Sequence, residues 1–313
     1  MPYQKLFYDS GDYTDKKIVP TDNLKLTEFA DNAIHADVLR LDKIHPVVSG
    51  NKCFKLKNYM TDAAEKQYKT IITFGGAYSN HIVATAYAAK QAGLKSIGII
   101  RGDQSVEPSH TLTMATEYGM ELQFINRKLY REIHSSDLPH AWLRKFPDSY
   151  FIPEGGQGLL GIRGCEEILD LTQKSEYTHI CCAIGTGTMY TGLANASGAD
   201  QYIIGISILR GMPDLLQKFR RYLNDSQKIN QCRIQYDYHF GGYAKRKPEL
   251  IDFMNRLYAE SGIPTDFVYT AKLFFAAADM ATKNHFPPES KLLLIHSGGL
   301  QGNLSLPPGT LNF

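Results

Sequence analysis

The sequence predicts an α/β protein of two lobes, each a mostly parallel sheet with helices on both faces. Three observations support this. Short β-rich apolar runs alternate with amphipathic stretches along most of the 313 residues, the pattern of strands covered on both sides. Gly-rich turns separate the two kinds of segment. The runs are too many for one small sheet, so two lobes accommodate them better.

Residues 70–74 read as a strand, Gly75-Gly76 as its turn, and 82–91 as an Ala-rich helix ended by Gly93. Residues 96–100 are the next strand, 111–118 a helix stopped by Gly119, and 121–125 another strand. A strand at 150–152 precedes the Gly155-Gly156 turn and a helix at 165–173. Residues 179–184 form a buried strand followed by a Gly-Thr turn and a helix, and 202–209, 233–238 and 291–296 are further strands. The segment 54–149 holds three strand–helix units and reads as a small inserted α/β domain. Residues 1–53 and 150–313 then form the large domain.

Hydrophobic content of 43% and charged content of 21% allow a sizeable core. The formal net charge of +2 leaves no nucleic-acid footprint, and clusters such as Arg220-Arg221 and Lys245-Arg246-Lys247 are short enough to be a solvated face. The five cysteines include no Cys-x-x-Cys pair, and the adjacent Cys181 and Cys182 lie in an apolar run that suits buried, inert thiols. This usage fits a reducing compartment. Residues 1–15 lack the apolar core of a signal peptide. No apolar run approaches the roughly 18 residues of a membrane span. A cytoplasmic protein without membrane or nucleic-acid partners is expected. His134 and His140 lack a helix-spaced partner, so no metal site is expected.

Five segments carry polar groups on turns. Lys52, in Ser49-Gly50-Asn51-Lys52, sits at a loop-to-helix junction. It is either one more exposed lysine or an amine held and desolvated for covalent chemistry. In Gly75-Gly76-Ala77-Tyr78-Ser79-Asn80-His81, Ser79 and Asn80 stand at a helix N-terminus. There they either cap the helix or flank a site for an anion such as a carboxylate. Gly185-Thr186-Gly187-Thr188-Met189 follows a buried strand. It is a tight packing turn or, the better reading, a cradle for a single phosphate. It is neither a Walker A loop nor a dinucleotide fingerprint, because the following lysine and the ribose-binding acid are missing. Val268-Tyr269-Thr270-Ala271-Lys272 opens a helix, and His296-Ser297-Gly298-Gly299 is a turn of close approach after a strand.

In this order, with Pro153-Glu154-Gly155-Gly156 between the second and third, these segments resemble the fold-type II pyridoxal-phosphate enzymes. The most similar branch is that of 1-aminocyclopropane-1-carboxylate deaminase and D-cysteine desulfhydrase. The resemblance runs from about residue 40 to 302. It implies a tryptophan synthase β-like fold whose large domain binds pyridoxal 5'-phosphate. Lys52 would then be the Schiff-base lysine, Asn80 the partner of the cofactor's phenolic oxygen, and Ser79 and His81, beside Asn80, the groups that meet the substrate carboxylate. Lys55 with Gly185, Thr186, Gly187, Thr188 and Met189 would hold the phosphate. Tyr243 and Tyr269 match active-site tyrosines, Thr270 falls opposite the pyridine nitrogen, and Ser297 lies near the same ring. A homodimer is also implied. The chain departs from the pattern at Phe54, often Arg, at Tyr78, often Gln, and in the loop after Tyr243. These changes bear on the substrate.

The deaminase carries a glutamate where Thr270 stands. A threonine hydroxyl can serve a neutral ring nitrogen, a weaker electron sink that still suffices for β-elimination. The expectation is therefore desulfhydrase-like elimination from a small amino acid, D-cysteine to pyruvate, ammonia and sulfide, with Lys52 as the base and Tyr243 or Tyr269 assisting the leaving group. The alternatives are ring opening of 1-aminocyclopropane-1-carboxylate to 2-oxobutanoate and ammonia, and a non-catalytic protein that binds a phosphorylated metabolite.

Overall fold

A computed structural model describes residues 19–135, 143–212 and 214–313. Expectations placed on residues 1–15, on His140 and on the His134 side chain fall outside them. The described chain divides into two compact units, one of Lys52–Gly161 and one of the residues up to Asn51 together with Ile162–Phe313.

Ten strands are described: β1 Thr21–Asn23, β2 His35–Leu39, β3 Thr70–Gly76, β4 Lys95–Arg101, β5 Met120–Ile125, β6 Ser149–Ile152, β7 His179–Ile184, β8 Tyr202–Ser207, β9 Cys232–Gln235 and β10 Lys291–Ile295. The smaller unit holds a four-stranded sheet in the order β5-β4-β3-β6, parallel throughout. The period-2 alternation of its strands sorts their side chains to two faces. Ile72, Phe74 and Ile99 pack with Tyr130 and Ile133 in one cluster, while Ile100 and Met120 pack with Ile82, Ala86, Leu112 and Ala115 in another.

The larger unit holds a six-stranded sheet in the order β1-β2-β10-β7-β8-β9, parallel except that β1 runs antiparallel to β2. Every residue of β7 is buried, as the apolar run Ile180–Ile184 requires, with His179 buried at its start. The helix Thr270–Thr282 packs into the core beside it. Its Ala-rich face lets the backbone lie close to the sheet, and Phe274, Ala277 and Ala281 are all buried. The α/β class with two mostly parallel sheets is what the sequence predicts.

Three local readings change. β6 pairs with β3, so the smaller unit's sheet takes in a strand that the sequence assigns to the large domain. The helix expected at 165–173 is an α-helix over Leu159–Glu166 that tightens to 3₁₀ over Glu167–Leu171. Gly192 fixes its position, because a Cβ there would lie 2.6 Å from Cys165 Cβ and 2.8 Å from the Ile162 carbonyl oxygen. Strands β1 and β2 and the helices Leu215–Arg220 and Pro248–Ser261 lie outside the predicted elements. No described helix is long and apolar enough to cross a membrane.

Candidate active site

In the larger unit, residues of four of the five motifs come together, two of the motifs in turns at the carboxyl ends of β7 and β10. A Cβ built on Gly50 would lie 1.8 Å from the Ser297 carbonyl oxygen, and one on Gly298 would lie 2.9 Å from Gly50 Cα. The two turns therefore touch backbone to backbone, and both glycines hold positive φ, +64° and +75°. The loop before Gly50 is pinned by a buried ion pair. Arg40 donates from Nε and Nη2 to the Asp42 carboxylate at 2.9 and 2.6 Å. Asp42 Oδ1 in turn lies 3.2 Å from Nδ1 of the fully buried His296, next to Ser297.

Asn51 then fastens the chain. Its amide N–H donates to the Ser297 carbonyl at 3.2 Å, and its side-chain amide donates to Met189 Sδ at 3.5 Å. The residue peptide-bonded to Lys52 is thus tied both to the C-terminal turn and to the last residue of the Gly185–Met189 loop. Sequence reasoning did not single out Asn51; its place between a strained glycine and the candidate lysine was the available signal.

Gly187, at φ +82°, occupies the N-cap of the helix Thr188–Ala196, and no side chain caps that helix. Backbone N–H groups and the helix dipole are therefore presented at the end of a buried strand. Thr186 and Thr188 set their hydroxyls 3.1 Å apart beside them. Tyr269 bounds the loop, since a Cβ on Gly185 would lie 3.0 Å from its ring. An anion such as a phosphate fits this donor set.

Thr270 opens the next helix, but its hydroxyl is committed. Oγ1 donates to Asp266 Oδ2 at 2.7 Å and accepts from the Asp266 amide at 2.8 Å. Asp266, fully buried, also accepts the amides of Val268, Tyr269 and Thr270 at 2.8–3.0 Å. Burial pushes its carboxyl up, against those hydrogen bonds and the pull of His296. A hydroxyl whose hydrogen goes to Asp266 has none to donate to a neutral ring nitrogen, so the mechanistic inference drawn from Thr270 does not follow from this geometry. Ser297, half-buried, makes its described hydrogen bond through its carbonyl. The rings of Tyr243 and Tyr269 stand 6.1 Å apart, edge to face.

In the smaller unit, Lys52 is half-buried and Lys55 buried near the start of the helix Asn51–Glu65. Gly156 lies against the Lys55 stem, where a Cβ would approach Lys55 Cβ to 3.0 Å. Ser79 occupies the N-cap of the helix Asn80–Gln91, yet its hydroxyl makes no capping bond. The capping alternative is therefore not realised, and a second helix N-terminus is left without a capping side chain. Asn80 Oδ1 is buried without a hydrogen-bond partner. Such an orphan is expected where a ligand supplies the partner.

His81 is 2% exposed, with Nε2 2.8 Å from Thr73 Oγ1. The Thr73 hydroxyl gives its hydrogen to the Ile152 carbonyl at 2.7 Å, so His81 must donate from Nε2. Its Nδ1 is then a bare lone pair, buried and unpartnered. Burial first, then the charges of Lys52 and Lys55, hold the ring well below the usual histidine range. A neutral imidazole whose unpartnered nitrogen is an acceptor repels a carboxylate, so the role expected of His81 does not suit its tautomer.

Comparisons with known proteins agree with the motifs. The profile of the family described as pyridoxal-phosphate dependent enzyme matches residues 15–298. The chain belongs to this family. It is a fold-type II pyridoxal-phosphate enzyme, and its cofactor is pyridoxal phosphate. It is 30% identical over 278 residues to a Pyrococcus abyssi protein that carries the provisional name 1-aminocyclopropane-1-carboxylate deaminase, covering 82% of this chain and 81% of that protein. It is 29% identical over 279 residues to the mitochondrial bifunctional D-cysteine desulfhydrase/1-aminocyclopropane-1-carboxylate deaminase of Arabidopsis thaliana, covering 82% of this chain and 70% of the relative. A crystal structure described as an ACC deaminase homologue superposes with a TM-score of 0.77 at 26% identity, covering 91% of this chain and 90% of the other. This pyridoxal-phosphate enzyme thus belongs among deaminase and desulfhydrase homologues.

Proposed function

We propose that the protein eliminates a β-substituent from a small D-amino acid, with D-cysteine as substrate and pyruvate, ammonia and sulfide as products. The observation that carries this reading is Asn51, which ties the residue beside Lys52 to the Ser297 turn and to Met189. Lys52 is the amine that holds the cofactor by its aldehyde carbon. The Gly185–Met189 loop would take the phosphate, a role that the resemblance also gives to Lys55. Asn80 would meet the phenolic group, its orphaned Oδ1 accepting the O–H, and Ser79, whose hydroxyl makes no capping bond, would take the substrate carboxylate. When bound, the cofactor supplies the electron sink for the carbanion.

Lys52, as a free amine once substrate is bound, would remove the α-proton. Tyr243 or Tyr269 protonates the departing thiolate. Water then hydrolyses the released enamine to pyruvate and ammonia. Five buried cysteines outside any disulfide support a reducing, cytoplasmic location, and the resemblance supports a homodimer.

A second reading is ring opening of 1-aminocyclopropane-1-carboxylate to 2-oxobutanoate. Two observations favour it. One is the name of the Pyrococcus relative. The other is the committed hydroxyl of Thr270, which has a lone pair and no hydrogen for the ring nitrogen, and so suits a protonated ring.

Purified protein with added pyridoxal phosphate is expected to turn yellow and to release sulfide and pyruvate from D-cysteine. Lys52→Ala is expected to lose at least about 10³-fold in turnover, as removal of a covalent catalytic group does. No sulfide from D-cysteine but 2-oxobutanoate from the cyclopropane amino acid would decide for the second reading. A colourless protein whose Lys52 is not trapped by borohydride would sink both.

A further inference from the structure

Lys272 lies in the first turn of the helix Thr270–Thr282, and it is 0% exposed. Its Nζ donates to two neutral acceptors, the carbonyl oxygens of His239 at 2.9 Å and Gly242 at 2.8 Å. Among the described residues it forms no ion pair. Burying an ammonium on two carbonyls is unfavourable, and an apolar side chain would fill the same space at less cost. The nearby Asp266 carboxylate favours the charge but does not offset its burial, so packing alone does not account for a lysine here.

The two carbonyls flank an unusual stretch of backbone. Phe240, Gly241, Gly242 and Ala244 all have positive φ, at 52°, 99°, 119° and 52°. For Phe240 and Ala244 this conformation is strained and persists only where surrounding contacts impose it. The turn's own bonds include Gly242 N to the His239 carbonyl, Lys245 N to the Gly242 carbonyl, and Gly241 N to His239 Nδ1, and Phe240 packs edge-on against Phe275. Tyr243 stands within this stretch, 44% exposed, with its ring edge-on to Tyr269. Lys272 follows Tyr269 by three residues. One helix start therefore carries one tyrosine and grips the loop that carries the other.

We propose that Lys272 is a positioning residue, whose ammonium holds the 239–244 loop by two backbone carbonyls and so keeps Tyr243 against Tyr269. The proposal rests on the reading of these tyrosines as active-site groups. It makes Lys272 act through Tyr243 and not through contact with substrate.

Lys272→Met and Tyr243→Phe, singly and together, separate the possibilities. The first readout is amide hydrogen exchange, with and without pyridoxal phosphate. Lys272→Met is expected to speed exchange at residues 240–245 by about tenfold or more, while the helix Pro248–Ser261 stays protected. The second is turnover of D-cysteine and of 1-aminocyclopropane-1-carboxylate. Lys272→Met is expected to lower kcat by about tenfold with little change in KM, and the double variant to be no slower than Tyr243→Phe. Unchanged exchange in the loop, or losses that multiply in the double variant, would overturn the proposal. If Tyr243→Phe alone loses nothing, the reading of Tyr243 fails, and the exchange still decides whether Lys272 holds the loop. Lys272→Gln, which keeps a donor, carries the same comparisons if the methionine variant does not fold, with loss intermediate between the two.

Discussion

Two buried residues show how neighbours decide what a titratable side chain can do. The Thr73 hydroxyl, bound to the Ile152 carbonyl, fixes the hydrogen of His81 on Nε2. Thr73→Val would leave that N–H buried without an acceptor. It is expected to lower unfolding free energy by about 1–3 kcal/mol, read from the denaturant midpoint at unchanged slope. Desolvation pushes Lys272 down to about 8 from 10.5. Between those values the unfolded chain binds the extra proton, so stability should rise with pH through this window and the Lys272→Met variant should lack that rise. Denaturation at a series of pH values checks the sign; a slope that survives the substitution would assign the effect elsewhere. The family was legible because Lys52 follows Gly-Asn in an ordered set of motifs. The tautomer of His81 was not, because Thr73 and Ile152 are brought to it by strand pairing, not by sequence proximity. The same holds for Asp266, whose capture of the Thr270 hydroxyl needs a turn the sequence does not announce.

At the scale of elements, the Gly-rich turns divide into two kinds. Gly187 and the Ser79 N-cap leave helix starts without capping side chains, whereas Gly50 and Gly298 let two turns touch. Gly50→Ala would force a Cβ onto the Ser297 carbonyl at a positive φ, and backbone on both sides leaves nothing flexible to give way. It is expected to destabilise by more than about 3 kcal/mol or to abolish folding, with loss of absorbance from bound cofactor in any soluble fraction. Wild-type-like stability and colour would show that the turns can separate. Strands with long apolar runs, such as β7, were readable to the residue. β1 was not, because three residues of mixed exposure carry no period. The helix at 159–166 was misplaced because its glycines read as a turn, whereas Gly192 needs small residues where the two helices meet.

For the whole molecule, all five cysteines are buried and outside any disulfide, and burial drives the Cys181 thiol up to about 12 and Cys53 higher. A thiol reagent at pH 8 is expected to label the native protein far more slowly than the unfolded chain, where five groups per chain should react. Fast native labelling would place a thiol at the surface. Two parallel sheets were legible as a class, because alternating strands and helices admit few arrangements. Strand order was not, since pairing depends on which edges meet. The six-stranded sheet places β10, made last, between β2 and β7. A nascent chain must therefore keep the facing edges of β2 and β7 unpaired until β10 has been made, and such edges invite aggregation. The carbonyl that anchors Asn51 belongs to Ser297, just past β10. A product cut short before this strand therefore has neither a closed six-stranded sheet nor the carbonyl that holds Asn51, and is fit only for clearance.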